Sequence, residues 1–274
     1  MIGLMKRGLL LVLLAAGAEA SHAQDWAVER LEASPRHHEW VEIPSGERVV
    51  RAFVAYPERS EPTPAVIVIH ENRGLTDWVR SFADQIAAAG HLAVAPDLLS
   101  DFDSEHARTS DFQSSDAARD AIYQLDPDQV VDDLGVVQRF VAELPAASGK
   151  VAVAGFCWGG AQSFRYATHA PDLAAAFVFY GSAPEDVERI RAISAPIYGF
   201  YGGEDARINA GIPATEERMN QLGKTYEAVI YPGAGHGFMR SGEEPDASDA
   251  NRRGREQAWD RLTELLEELK GGGQ

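Results

Sequence analysis

Cysteine is almost absent from this chain of 274 residues, in which Cys157 is the only one. An intramolecular disulfide is therefore impossible, and a disulfide-stabilised mini-protein is excluded by the cysteine count and by the length. Basic residues are also scarce, with 25 Lys and Arg against 42 Asp and Glu and a formal net charge of -17. Such a chain repels phosphate, so we expect no nucleic-acid partner. No segment holds 18 consecutive apolar residues, so we expect no membrane-spanning helix.

The first 23 residues have the features of a secretory signal peptide. Two basic residues precede an apolar run at residues 9–16, which is too short to cross a bilayer, and small residues follow it. Cleavage after Ala20 or after Ala23 fits this pattern, and the second leaves residues 24–274 as the mature chain. We expect export across the inner membrane to the periplasm and no membrane attachment afterwards. A buried amphipathic helix or an uncleaved anchor is the alternative.

From residue 40 onward, short runs rich in Val, Ile and aromatic residues alternate with segments of helical period. This pattern predicts one α/β domain with a mostly parallel sheet and helices on both faces. Strands are predicted near residues 40–43, 48–56, 64–70, 91–95, 150–155, 174–180, 196–202 and 226–231, which makes about eight. Helices are predicted near residues 78–89, 127–144, 159–170, 213–222 and 247–269. The run at 64–70 is apolar without alternation, which is typical of a central strand. Residues 101–125 lack periodicity and predict a long loop with a short helix over the site.

A nucleophile motif lies between a predicted strand and a predicted helix. Gly155-Phe-Cys157-Trp-Gly159 has the spacing of the G-x-S-x-G elbow, with cysteine in place of serine. Glycine suits both flanking positions because the sharp turn brings backbone segments close together. The helix N-terminus favours a thiolate and a developing oxyanion. A buried structural cysteine in a glycine-rich turn is the alternative.

An acid and a base follow the cysteine, each just after a predicted strand. Asp205 lies in Gly-Gly-Glu-Asp and His236 in Gly-Ala-Gly-His-Gly. The order Cys157, Asp205, His236 is that of α/β-hydrolase triads, and the carboxyl ends of parallel strands meet at one edge. His236 would then act as the base and Asp205 would orient it, with Glu204 as the alternative acid.

The segment from His70 to Gly74 follows the predicted central strand, where α/β-hydrolases place a second oxyanion-hole donor. The backbone N–H groups of Asn72 and Trp158 are therefore assigned to that hole. The spacing H-E-x-x-H is absent and no further cysteine is available, so we expect no metal site.

With this elbow and this order of residues, the sequence resembles the dienelactone hydrolase (carboxymethylenebutenolidase) family over residues 41–269. The resemblance implies an α/β-hydrolase fold and a lactone-opening triad of nucleophile Cys157, acid Asp205 and base His236. It also implies that Glu71 contacts the resting cysteine until substrate displaces it.

The same resemblance implies that two arginines bind a substrate carboxylate. Arg240 matches one, and Arg119 matches the other, with Tyr123 four residues after it. Planar guanidinium groups suit a carboxylate because they form paired hydrogen bonds.

These observations together predict a monomeric hydrolase that opens a lactone or a small ester, with the substrate carrying a carboxylate. We expect a thioester intermediate, no cofactor and a small-molecule substrate as the partner. The alternative is a non-catalytic protein of the same fold that binds an anionic metabolite or partner, since a fold alone does not imply activity.

Overall fold

The computed structural model describes residues 24–271. The predicted signal peptide at residues 1–23, with both cleavage positions, lies outside this range. Within it, no helix combines the length and the apolar character that a membrane span needs.

An eight-stranded sheet organises the chain. Its strands are β1 (His38–Ser45), β2 (Arg48–Ala55), β3 (Thr63–Ile69), β4 (Leu92–Asp97), β5 (Ala147–Phe156), β6 (Ala175–Phe179), β7 (Ile197–Gly202) and β8 (Tyr226–Tyr231). Their spatial order is β1-β2-β4-β3-β5-β6-β7-β8. The pairs β1 with β2 and β2 with β4 are antiparallel, and the remaining neighbours are parallel. The carboxyl ends of β3 and β5 to β8 therefore meet at one edge, where the site is expected.

Ten helices cover this sheet in the part of the chain that the structure describes. They are α1 (Asp25–Glu32), α2 (Asp77–Ala88), α3 (Ser115–Ile122), α4 (Pro127–Ala142), α5 (Trp158–Ala167), α6 (Val187–Arg191), α7 (Ala206–Asn209), α8 (Ile212–Gln221), α9 (Phe238–Ser241) and α10 (Asp249–Gly271). A short 3₁₀ turn at Thr109–Asp111 precedes α3.

Apolar layers lie on both faces of the sheet. Val66 and Val68 of β3 pack into a cluster with α1, α2 and α10, whereas Ile67 and Ile69 pack into a cluster with α4, α5, α6 and α8. All seven residues of β3 are buried, because successive side chains of a strand point to opposite faces and both faces are covered. The predicted fold class, a mostly parallel sheet of about eight strands with helices on both faces, is confirmed.

Four helices, α1, α6, α7 and α9, have no counterpart in the predictions, and α1 is the longest of them. Helix α1 has eight residues, of which only Ala27 is buried, so its apolar period is weak. Its position depends on distant groups: Gln24 accepts a hydrogen bond from the Trp78 N–H over 3.0 Å, and Arg30 pairs with Glu243. The predicted loop at residues 101–125 contains the 3₁₀ turn and α3, as expected.

Candidate active site

Cys157 occupies a strained turn between β5 and α5. Its backbone has φ 56° and ψ -113°, a conformation that costs a non-glycine residue free energy and is often found at functional sites. A Cβ on Gly155 would lie 2.0 Å from the Gly159 carbonyl oxygen, and one on Gly159 would lie 2.3 Å from that of His70. Only glycine fits at these two positions, as the motif predicts. The side chain of Cys157 is part-exposed at the sheet edge.

His236 and Asp205 meet beside this turn. His236 Nδ1 lies 2.5 Å from Asp205 Oδ2, and the Asp205 carboxylate is buried. Glu204, the alternative acid, is exposed and has no contact with the imidazole among the described interactions. The carboxylate fixes the proton of His236 on Nδ1, which leaves Nε2 for the sulfur of Cys157.

The surroundings of His236 favour its charged form. The hydrogen bond to Cys157 is the largest cause that raises its pKa, burial opposes it, and the hydrogen bond to Asp205 raises it further, to about 9. An imidazolium between a sulfur and a carboxylate is the arrangement that a thiolate nucleophile requires.

Glu71 and Arg240 form an ion pair at the carboxyl end of β3. Arg240 donates its Nε–H to Glu71 Oε2 over 2.9 Å and an Nη1–H to Glu244 Oε1 over 2.6 Å. Burial alone lowers the pKa of the Arg240 guanidinium, but the charge and hydrogen bond of Glu71 outweigh burial and raise it. The structure thus pairs the buried Glu71 with Arg240 rather than with the sulfur of Cys157.

Tyr180 is a further residue of the candidate site, and the sequence did not predict it. Its hydroxyl is a polar group near the Glu71–Arg240 pair. Its side chain is fully buried, its hydroxyl has no hydrogen-bond partner among the described residues, and its ring packs edge-on to His236 at 5.0 Å. Burial raises the pKa of the phenol well above its usual value, and the negative charge of Glu71 raises it further. A positive φ of 41° marks the position, but no sequence motif does.

The proposed oxyanion-hole donors lie on neighbouring segments. Asn72 follows Glu71 in a tight turn in which the Gly74 N–H donates to the Glu71 carbonyl over 3.4 Å. Within residues 24–271 the Asn72 N–H has no protein acceptor. Trp158 opens α5, and the first N–H groups of a helix lack acceptors within it. Both groups are therefore free to bind an oxyanion.

His70 fixes the position of these segments, and sequence reasoning gave it no role of its own. Burial lowers the pKa of its imidazole, so the ring is neutral at neutral pH. Nδ1–H donates to the Glu71 carbonyl over 2.8 Å, Nε2 accepts the Leu98 N–H over 3.3 Å, and the ring stacks on Trp158 at 5.5 Å. One imidazole thereby connects the ends of β3 and β4 with the start of α5.

The remaining predicted residues lie on α3 and its end. Tyr123 is exposed, and its hydroxyl accepts a hydrogen bond from the Asn72 side chain over 3.2 Å. The Arg119 guanidinium instead pairs with Asp116 at 2.9 Å and Asp120 at 3.3 Å, next to it on the same helix. Tyr123 therefore contacts residues 70–74, the oxyanion loop that carries the proposed Asn72 donor, and Arg119 has no described contact with this loop.

Two cavities are lined by none of the predicted site residues. In the described range, no three His, Cys, Asp or Glu side chains are grouped as metal ligands. A cavity of about 280 Å³ lies beside α7 and is lined by residues including Gly181, Tyr201 and Ile208. A cavity of about 860 Å³ lies between the β1–β2 turn and α4 and is not lined by any predicted site residue.

Comparisons with known proteins show which family the chain is similar to. The dienelactone hydrolase family model matches residues 50–270. A protein of Saccharolobus solfataricus named "Putative carboxymethylenebutenolidase" is 31% identical over 253 residues, which cover 79% of this chain and 93% of the relative. A protein of Escherichia coli K12 with the same name is 30% identical over 241 residues, which cover 84% and 86%. The crystal structure named "Putative Dienelactone Hydrolase" from Klebsiella pneumoniae has a TM-score of 0.73, 25% identity, and coverage of 84% of this chain and 98% of its own.

The family match spans the elbow at the end of β5 and the segments that carry Asp205 and His236, and its extent leaves only the two ends of the chain unmatched. The chain belongs to the dienelactone hydrolase family of α/β-hydrolases.

Proposed function

We propose that this hydrolase opens lactones or small esters through a Cys157–His236–Asp205 triad. The observation that carries the proposal is the 2.5 Å contact of His236 with Asp205, on an imidazole whose pKa the neighbouring Cys157 raises. A nucleophile, a base and an orienting acid in this relation are the parts that covalent acyl transfer requires. The names of the relatives, which refer to carboxymethylenebutenolidase, support the same substrate class.

The first half-reaction forms a thioester. The Cys157 sulfur, as a thiolate with its proton on His236, attacks the carbonyl carbon, and the carbonyl π electrons move to oxygen. The Asn72 and Trp158 N–H groups stabilise this oxyanion. The C–O bond to the leaving oxygen then breaks, and His236 Nε2 gives that oxygen its proton.

The second half-reaction regenerates the enzyme. His236, now neutral, takes a proton from water while the water oxygen attacks the thioester carbonyl. Collapse of the second tetrahedral intermediate expels the Cys157 thiolate and releases the carboxylic acid. Asp205 stabilises the imidazolium each time it forms and does not itself take up a proton.

A carboxylate on the substrate fits the Glu71–Arg240 pair. An incoming carboxylate that binds Arg240 competes with Glu71 for the same guanidinium. The 2.9 Å contact of Arg240 with Glu71 supports the proposal, because this guanidinium already binds a carboxylate.

We also propose that the protein acts outside the cytoplasm after removal of residues 1–23. The basic pair, the short apolar run and the small residues of that segment support export. N-terminal sequencing of the protein from the periplasmic fraction tests this, and an intact Met1 in the cytoplasmic fraction would contradict it.

The decisive experiment for the chemistry compares the wild type with C157A and C157S on the lactone dihydrocoumarin and the ester 4-nitrophenyl acetate. We expect C157A to lose hydrolysis, C157S to retain a small fraction, and the wild type to show an acetyl adduct on Cys157 by mass spectrometry after rapid quenching. Circular dichroism checks that each variant is folded. Wild-type rates in folded C157A would refute the triad, and a folded wild type that binds but never hydrolyses would favour a non-catalytic binding protein.

A further inference from the structure

Both arginines that the family resemblance assigns to a substrate carboxylate already have carboxylate partners in this protein. Arg240 is held by Glu71 and Glu244, and Arg119 is held by two aspartates of its own helix. An incoming anion has to displace a protein carboxylate at either position. In a chain of net charge -17, a guanidinium without such a partner is the stronger initial binding point for an anion.

Arg73 is such a guanidinium, and it lies on the oxyanion loop. Its side chain is exposed and has no ion pair or hydrogen bond within residues 24–271. It is the third residue of the tight turn from Glu71 to Gly74. Its Cα is therefore about 3.8 Å from that of Asn72, whose free N–H is assigned to the oxyanion hole.

The backbone beneath Arg73 is held rigidly, although its side chain is free. A Cβ on Gly74 would lie 2.3 Å from Thr109 Oγ1, so the turn packs directly against Thr109. Thr109 Oγ1 accepts the Leu75 N–H over 3.0 Å and donates to the carboxylate of Asp97 over 2.6 Å. This bracing keeps the Arg73 backbone at a constant distance from the oxyanion-hole donors, which a selective contact with substrate requires.

We infer that Arg73 is a specificity-determining residue that binds the carboxylate of an anionic ester or lactone at the mouth of the site, in the place that the resemblance assigns to Arg119. The inference rests on the proposed function, since it concerns the substrate of the same site. Arg73 binds the anion without displacing a protein carboxylate, whereas Arg240 has to exchange Glu71 for it. An exposed pair of this kind contributes modestly and is weakened by salt.

The test uses two esters with the same five-carbon acyl chain, 4-nitrophenyl hemiglutarate, which ends in a carboxylate, and 4-nitrophenyl valerate, which does not. We expect R73Q to raise KM for the hemiglutarate about fivefold with kcat unchanged, and to leave the valerate unaffected. R73K keeps the charge and should retain most of the wild-type preference. R139Q is the matched control, because Arg139 is also exposed and unpaired in the described structure but lies on α4. High salt should raise KM for the hemiglutarate in the wild type and raise it much less in R73Q, which lacks the exposed contact.

Three results would overturn the inference: equal KM changes for both esters in R73Q, no change for either, or a loss of preference in R119Q with R73Q unchanged. Binding of glutaramate, the non-ester analogue, is measured by calorimetry on wild type and R73Q. This binding measurement needs no hydrolysis. It therefore tests the contact of Arg73 with the anion even if C157A keeps its activity and the proposed triad is wrong. Equal glutaramate affinities would also overturn the inference, while leaving the Cys157 chemistry to its own test.

Discussion

Arg240 and Glu71, which are 169 positions apart in the sequence, form a 2.9 Å ion pair beside the candidate nucleophile. The Glu71 side chain is only 11% exposed, so its carboxylate has lost most of its contact with water and depends on Arg240 to offset that loss. The pair therefore has consequences for stability as well as for substrate binding.

Removal of one partner of this pair should destabilise the protein, and the effects of removing the two partners should not be additive. We expect R240Q to lower the free energy of unfolding by about 2 kcal/mol, because it leaves a buried carboxylate without its cation. The double variant E71Q/R240Q should lose less than the sum of the two single variants. Guanidinium denaturation measures this, with R191Q as the control because the Arg191–Glu188 pair is exposed. Strict additivity would mean that the pair contributes nothing.

The acid of the triad should be Asp205 and not its neighbour. We expect D205N to lower kcat by about a hundredfold or more, because asparagine favours the wrong imidazole tautomer and cannot balance the imidazolium. E204Q is the matched control, since it removes one charge from an exposed adjacent side chain, and its kcat should stay near wild type. The opposite ranking of the two variants would assign the acid to Glu204.

His236 should titrate with a pKa of about 9 in the folded protein. NMR titration of its ring protons measures this, and in C157A the value should fall, because the hydrogen bond to Cys157 is the largest cause of the shift. A raised pKa stabilises the folded state fully below about 6.5, the value in the unfolded chain, and this stabilisation is lost between pH 6.5 and 9. Because the imidazole is 34% exposed, we expect the loss to be about 1 to 2 kcal/mol. It should be absent in H236N, and a wild-type pKa near 6.5 would contradict the prediction.

His91 should limit stability in acid. Its side chain is fully buried, neither ring nitrogen has a hydrogen bond, and Glu267 lies 3.4 Å away. Burial is the largest cause that lowers its pKa, the charge of Lys270 also lowers it, Glu267 opposes both, and the resulting pKa is about 4. The unfolded chain therefore binds a proton that the folded chain does not, so stability is full above pH 6.5 and falls between 6.5 and 4, by up to about 3 kcal/mol.

The variant H91L removes this titration and should flatten the acid side of the stability profile. H37Q is its control, because His37 is 67% exposed on its side chain. Thermal melts between pH 4 and 8 provide the measurement. If the melting temperatures of H91L and the wild type fall equally as the pH is lowered, a group other than His91 causes the loss of stability.

Much of the site was predictable from the sequence because it depends on local geometry. The turn at Cys157 needs glycine at positions 155 and 159, and a strand before it and a helix after it follow from apolar period. The order of Cys157, Asp205 and His236 along the predicted strands then places all three at the carboxyl edge of a parallel sheet.

The partners of the charged groups were not predictable in this way, because they join segments that are distant in the sequence. Nothing local to Arg240 indicates that Glu71, 169 positions away, will pair with it, and nothing local to Tyr180 indicates that its hydroxyl will be buried without a partner among the described residues. The choice between Asp205 and Glu204 was also open. Their side chains point in different directions from the same turn, and the sequence does not show which one points toward His236.

The sequence by itself determined the parallel sheet, the elbow and the chemical types gathered at its edge, since periodicity and glycine sterics act over a few residues. Only the tertiary structure decided that Asp205 contacts the imidazole, that Glu71 pairs with Arg240, and that Arg73 is left without a partner. Those outcomes depend on distances across the sheet edge, where a difference of a few ångströms determines whether two charges form an ion pair or are separated by solvent.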